Sequence, residues 1–283
     1  MSFKHIGFIG FGLIGGSIAR AVKACNPECT ITVTSRSLAP LNQAVDDGIV
    51  DNICSSIDNT FSKCDFIIIC TPVVTIAHCL KQLKSVVNKN CIISDVGSVK
   101  GFVHNAVSEL GLEQNFIGGH PMAGSELTGY ANSSASIMAG AKYIITPTAL
   151  TTDAQLEAVK EFIYSIKSEP FVMDAASHDR AAAGISHVPH LSACALTTMV
   201  KNGDDNNQYM HLMASNGFKD STRIAASSPE MWDQICVTNG EAISQMLSEY
   251  IDILTKIKDN IDSKTPGYIE KLFTESRDYR NTF

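Results

Sequence analysis

Positive charge is scarce in this sequence. Its 283 residues carry 22 Lys and Arg against 29 Asp and Glu, a formal net charge of −7 with a pI near 5.6. There is no basic stripe of the kind that nucleic acid or an anionic membrane requires, so an anionic substrate would have to be held by a few local cations. Long apolar runs are also lacking: no stretch reaches the roughly 18 uninterrupted residues of a membrane span. The apolar opening segment is broken by glycines at 7, 10, 12, 15 and 16, which suit a helical signal-peptide core badly. The nine cysteines form no C-x-x-C pair, are odd in number and lie partly inside apolar runs such as Ile67 to Cys70. That pattern argues against a disulfide frame or a zinc site and predicts reduced, buried thiols in a cytoplasmic protein. Biased tracts and internal repeats are absent too. With 45 % hydrophobic and 18 % charged residues, the composition is that of a chain able to build a packed core.

Up to residue 174, short β-rich runs alternate with segments of helical period, the pattern of parallel strands joined by crossover helices. Strands are predicted at residues 6–9, 30–34, 66–70, 92–95, 116–118, 143–146 and 171–173, with helices at 14–24, 38–46, 73–86, 99–110 and 153–165. Most of the strands are wholly apolar, as strands covered on both faces are. The expected fold class is α/β, with a doubly wound, mostly parallel sheet over residues 1–174. Nothing in residues 175–283 alternates like a strand, and an all-α domain is expected there. Ser177 is read as the cap of a helix running to about Val200, and Ser228-Pro229-Glu230 as a second helix start. Residues 241–261 place Ile243, Leu247, Tyr250 and Leu254 at helical spacing. Long amphipathic helices in so small a domain commonly bury their apolar faces against a second copy, which predicts a homodimer through the helical part.

Directly after the first predicted strand stands Gly10-Phe11-Gly12-Leu13-Ile14-Gly15, opening the first predicted helix. A lone G-x-G-x-x-G is weak, but a place between strand and helix is the context of a Rossmann dinucleotide site. Gly10 would allow the tight turn, Gly12 the approach of a pyrophosphate, and Gly15 close packing of helix on strand. The pyrophosphate would face unpaired N–H groups at the helix start. About 20 residues on, where NAD enzymes tend to place an acid on the ribose 2′-hydroxyl, the sequence has Ser35-Arg36-Ser37. A guanidinium and two hydroxyls suit a 2′-phosphate, so NADP is expected, with NAD as the alternative. Arg36 stacking on adenine or lying in solvent is the competing reading. Cys70-Thr71-Pro72, at a strand end, is assigned to the cofactor site by position only.

Further motifs are Asp95-Val96-Gly97-Ser98-Val99-Lys100, the run from Gly118 through His120-Pro121-Met122-Ala123-Gly124 to Ser125-Glu126, Ser186-His187-Val188-Pro189-His190, and Gly217-Phe218-Lys219-Asp220-Ser221-Thr222-Arg223. Together with the glycine loop, and in this order over nearly the whole chain, they resemble the prephenate and arogenate dehydrogenase family. The resemblance implies oxidative decarboxylation of a cyclohexadienyl acid in tyrosine biosynthesis. The ring carbinol gives its hydride to the nicotinamide, the ring carboxylate leaves as CO2, and aromatisation drives both. Prephenate is the expected substrate and arogenate the alternative; an NADP-binding protein without catalysis is the more distant reading.

His120 is the candidate proton acceptor, since a neutral imidazole can take a proton near cellular pH; a structural histidine is the alternative. Ser98 matches the family's serine that donates to the same carbinol oxygen, and equally suits an N-cap of the helix expected from Val99. Arg223 is the candidate anchor for a substrate carboxylate, with Lys219 adding charge one turn earlier; the competing reading is a surface pair involving Asp220. Ser186 and His190 share a helix face that in the family points into the substrate cleft. His187 and His190 lack a third ligand, so no metal is expected. Pro189 is expected to kink its helix. Glu126 matches the family's acidic residue after the histidine motif and is expected to pair with the cationic cluster.

Overall fold

The computed structural model describes residues 3–124 and 127–283. In chain order its first half runs β1 (His5–Ile9), α1 (Leu13–Cys25), β2 (Thr30–Thr34), α2 (Ala39–Asp46), β3 (Asn52–Cys54), β4 (Phe66–Ile69), α3 (Val73–Leu83), β5 (Ile92–Asp95), α4 (Gly101–Leu110), β6 (Ile117–Pro121), β7 (Lys142–Pro147), α5 (Asp153–Ser165) and β8 (Glu169–Val172). Five strands form a parallel sheet in the order β3-β2-β1-β4-β5. The order reverses between β1 and β4, which opens a crevice at their carboxyl ends where α/β proteins bind ligands. The wholly apolar β4, Phe66-Ile67-Ile68-Ile69, is buried along its length because helices cover both faces of the sheet. On one face Phe3 stacks on Phe66 at 4.7 Å and Phe162 of α5 meets Phe66 edge-on at 5.0 Å. On the other, α3 and α4 bury Ile76, Leu80, Val103 and Val107 together with Ile235 and Ile243 from the second half of the chain.

The doubly wound sheet is as expected, with two refinements. β3 is too short and too polar (Asn-Ile-Cys) to show alternation, and the sequence reading passed over it. β6, β7 and β8 make a second, three-stranded sheet in which β6 and β7 pair antiparallel and β7 and β8 parallel. The described residues between β6 and β7 contain only the short 3-10 turns Tyr130–Asn132 and Ala135–Ile137, and a parallel pairing needs a longer crossover. A single parallel bridge, Ile93 to Phe116, lays β6 alongside β5. The carboxyl end of β6 thereby shares an edge with those of β1, β4 and β5.

The second half is helical: α6 (Ala175–Ala182), a π turn (Ala183–His187), α7 (Val188–Gly203), α8 (Tyr209–Met213), α9 (Asn216–Thr222), a 3-10 turn (Arg223–Ala226), α10 (Pro229–Thr238), α11 (Gly240–Asp262) and α12 (Tyr268–Arg280). Asp174, not Ser177, caps α6: its carboxylate accepts the Ser177 N–H at 2.8 Å and the Ser177 hydroxyl at 2.6 Å. The turn ahead of Pro189 widens to π geometry, with the Val188 N–H bonding the Ala183 carbonyl. Pro189 has no N–H to give and its ring would crowd the carbonyl four residues back, so the expected kink is absorbed as a widened turn. Ser228 caps α10 as expected, accepting from the Met231 N–H. No described helix is long and apolar enough to cross a membrane.

Candidate active site

The crevice between β1 and β4 is a cleft of about 510 Å³. Its floor is the glycine loop. Gly10 sits at φ +82, and a side chain there would also meet the Cys70 carbonyl at 2.8 Å. At Gly12 an added Cβ would meet nothing within 4 Å, so the loop backbone is open toward the cleft. α1 begins at Leu13 and Ile14 with no side-chain cap and no acidic residue in its first turn. Its leading N–H groups therefore remain available to an anion at the positive end of the helix. Gly15 lies beneath, close to the Gly10 carbonyl and Cys70, and lets α1 rest on the strand ends. Ser35 and Arg36 line the cleft at the end of β2, Ser37 does not, and Cys70, Thr71 and Pro72 line it after β4. Thr71 Oγ1 is buried with no hydrogen bond of ordinary geometry; only the Cys79 thiol, a weak partner, is beside it. A buried hydroxyl of this kind suits a ligand that supplies a partner. These features fit a dinucleotide. The wall also includes Ser55 and Ser56 after β3, Gln82 of α3, and Glu230 and Gln234 of α10. Sequence reasoning missed these, having no β3 to follow and no signal that α10 packs beside α3.

His120 stands near the carboxyl end of β6, on the same edge. Its Nδ1 lies 2.8 Å from His178 Nε2, and His178 Nδ1 lies 2.8 Å from Asp179 Oδ1. A carboxylate can only accept, so His178 donates from Nδ1; its Nε2 then accepts from His120 Nδ1–H. That order leaves the lone pair of His120 on Nε2. Asp179 also accepts the backbone N–H groups of Lys100 and Gly101, each at 2.7 Å. It is thus the cap of α4, supplied from α6, and Ser98 does not cap this helix. Burial pushes the Asp179 carboxyl up, but hydrogen bonds from His178, Lys100 N–H and Gly101 N–H outweigh it and hold Asp179 below the usual carboxylate range. Burial, aided by the nearby His178, Lys100 and His187, holds His120 well below 6.5, so its imidazole is neutral. A histidine with a free lone pair, fixed by a second histidine and a carboxylate, is equipped to accept a proton. The sequence reading found His120 but not its supports; the adjacent His178-Asp179 was the available signal.

The other residues singled out divide into two groups. Ser98 is half-buried in the loop between β5 and α4, within the segment that Asp179 caps. His190 stacks on Trp232 at 4.0 Å, and its Nδ1–H donates to the Ser186 carbonyl at 2.8 Å. The bond joins the His190 ring to the backbone at Ser186, within the π turn. Trp232, missed from sequence, is the single tryptophan, and its buried Nε1 has no partner among the described residues. His187 turns inward instead: Asn239 donates to its Nδ1 at 3.1 Å and to the Asp179 carbonyl at 2.9 Å. Lys219, on α9, and Arg223, opening the 3-10 turn that packs on α7, are exposed. Neither forms an ion pair among the described residues, with Asp220 or any other acid. The structure does not bring these two cations against His120. Ser125 and Glu126 lie outside the described residues.

The chain is similar to known proteins over nearly its whole length. The family profile described as "Prephenate dehydrogenase, nucleotide-binding domain" matches residues 18–171, and the one described as "Prephenate dehydrogenase, dimerization domain" matches residues 174–275. The chain is 32 % identical over 274 residues to the prephenate dehydrogenase of Bacillus subtilis, covering 96 % of this chain and 74 % of that protein. It is 31 % identical over 279 residues to the cyclohexadienyl dehydrogenase of Zymomonas mobilis, covering 98 % and 95 %. Among solved structures, prephenate dehydrogenase from A. aeolicus, in complex with hydroxyphenyl propionate and NAD+, superposes with a TM-score of 0.94 at 29 % identity, covering 100 % of this chain and 99 % of that one. The glycine-loop cleft thus stands in an NAD(P)-dependent oxidoreductase, and the chain belongs to the prephenate dehydrogenase family.

Proposed function

We propose that the chain oxidises and decarboxylates prephenate to 4-hydroxyphenylpyruvate, with NADP preferred over NAD. The observation that carries this reading is the His120–His178–Asp179 chain, whose His120 stands at the carboxyl-end edge of the strands that also carries the dinucleotide cleft. When bound, the dinucleotide would supply the hydride acceptor; Gly12, Leu13 and Ile14 would face its pyrophosphate in the loop that Gly10 and Gly15 shape, Cys70, Thr71 and Pro72 would line its site, and Ser35 and Arg36 would meet a 2′-phosphate. His120 Nε2 accepts the carbinol proton. His178 holds the tautomer, and Asp179 stabilises the positive charge that the two imidazoles acquire. Ser98 donates to the carbinol oxygen, Ser186 and His190 wall the substrate, and Lys219 and Arg223 anchor its side-chain carboxylate. Residues 1–174 act as the dinucleotide domain and residues 175–283 as the substrate and dimerisation domain.

The absence of a carboxylate at the end of β2 favours NADP. A homodimer through the helical part is favoured by apolar side chains that a lone chain leaves in water: Met199 is 62 % exposed, Leu212 72 % and Ile251 56 %. The nine free thiols favour the cytoplasm. Arogenate is the second reading, favoured by the Zymomonas relative, which is named for the cyclohexadienyl ring. Absorbance at 340 nm with prephenate and arogenate, each against NAD and NADP, tests the substrate and the cofactor. The fastest trace is expected with prephenate and NADP; four flat traces would refute the assignment.

A further inference from the structure

We propose that the buried Asp95–Lys100 pair positions His120, by gripping the peptide groups of Gly119 and tying them to the carboxylate that steadies its imidazole. The inference rests on His120 being the proton acceptor. Both side chains of the pair are 0 % exposed. Charges so placed are costly to bury, and an ion pair serving only to fill space is replaceable by apolar side chains. This pair holds backbone. Asp95 Oδ1 accepts the Gly119 N–H at 3.2 Å, Lys100 Nζ donates to the Gly119 carbonyl at 2.7 Å, and Asp95 Oδ2 accepts the Gly97 N–H at 2.9 Å. The residue before His120 is therefore fixed through both of its peptide groups. Only glycine fits there, since a Cβ at 119 would lie 2.6 Å from the Asp95 carbonyl oxygen.

Lys100 also gives its own backbone N–H to Asp179, whose same oxygen holds His178, which holds His120. The contacts close a ring: Asp95, Lys100, Asp179, His178, His120, Gly119 and back to Asp95. It joins the ends of β5 and β6, the start of α4 and the first turns of α6. One short segment, 95–101, thus controls His120 both through its backbone and through its imidazole. The ammonium of Lys100 is one of the charges that keep His120 unprotonated. The other ionisable groups around the ring are Cys70, His104, Tyr143 and His187.

The test compares wild type with Lys100→Met, the double variant Asp95→Asn, Lys100→Met, His120→Asn, and His120→Asn, Lys100→Met. For each, kcat, KM for prephenate, NADP affinity by fluorescence and the pH profile of kcat/KM are measured. Misplacing a reacting group by about 1 Å costs on the order of 100-fold, so Lys100→Met should lower kcat about 10- to 100-fold and leave NADP affinity unchanged. The acid limb of the pH profile should move to higher pH as the ammonium is lost. In the His120→Asn background most of that cost should disappear, because the pair grips Gly119 and the support of that imidazole; a small remainder is expected through Ser98, which lies in the same segment. If Lys100→Met strands Asp95 unpaired and does not fold, the double variant without either charge is read in its place. A folded variant with wild-type kcat and an unmoved acid limb would overturn the proposal, as would a loss that persists in full in the His120→Asn background. A fully active His120→Asn enzyme would overturn it differently, by removing the base on which it rests.

Discussion

Replacing Asp179 with asparagine exchanges one carboxylate oxygen for an amide NH2, and the structure dictates how the change plays out. Oδ1 receives His178 Nδ1 at 2.8 Å and the Lys100 N–H at 2.7 Å, while Oδ2 receives the Gly101 N–H at 2.7 Å. An amide with its oxygen in the Oδ1 place keeps two donors satisfied and turns its NH2 on the Gly101 N–H. The opposite orientation sets the NH2 against the Lys100 N–H and forces His178 to accept at Nδ1. The first orientation is therefore favoured, and the tautomer of His120 survives. A hydrogen bond to a charged group contributes about 1.5–3 kcal/mol against about 0.5–1.5 for a neutral one, so the developing imidazolium loses about 1–2 kcal/mol. At 1.36 kcal/mol per tenfold, kcat should fall about 5- to 30-fold. The stranded Gly101 N–H should lower stability by about 1–3 kcal/mol. Steady-state assay at 340 nm and urea unfolding read the two effects. Turnover within about twofold of wild type, well short of the tenfold that 1.36 kcal/mol represents, would refute the relay. A drop of about 10⁴-fold, the size seen when such a change forces the wrong tautomer, would mean that the amide adopts the second orientation.

Arg223→Ala should raise KM for prephenate about 10- to 100-fold with kcat nearly kept, as loss of an anchor rather than of chemistry; an unchanged KM would return Arg223 to the surface. Arg36→Ala should weaken NADP and spare NAD, read as the ratio of the two kcat/KM values; equal losses would assign Arg36 to adenine. Burial, with the nearby His178 and His190, holds His187 down at about 4 from 6.5 despite the opposing Asp179. Protons then bind the unfolded chain first, so stability should fall between pH 6.5 and about 4, by at most about 3 kcal/mol, and be unaffected by this residue above 6.5. Urea midpoints at pH 7 and 5 should converge in His187→Gln, and an unaltered pH slope would contradict the assignment.

The nucleotide half was legible because its signals are local. Apolar strands, helix periods and the glycine loop each lie within a few residues, and the turn at Gly10 needs only its neighbours. β3 escaped because three residues carry no period, and the antiparallel β6–β7 pairing because strand direction is set by long-range pairing that no local period reports. At the site, residue type and a strand-end position pointed to His120. His178 and Asp179 did not stand out, because they act across 58 residues of sequence, through His120, and across 79, through the Lys100 N–H. Asp95 and Lys100 stand out in the sequence only as part of a motif, since nothing in a sequence shows that two charges are buried together. Ser98 was equally well suited to cap α4 until Asp179 was found in that place.

The proposed chemistry depends most directly on His120, and the turnover of His120→Asn with prephenate and saturating NADP tests it. A fall of about 10²- to 10⁴-fold, with NADP affinity intact, is the expected result for loss of a proton acceptor. Turnover equal to wild type would contradict the account and leave the chain a dinucleotide-binding fold whose base lies elsewhere.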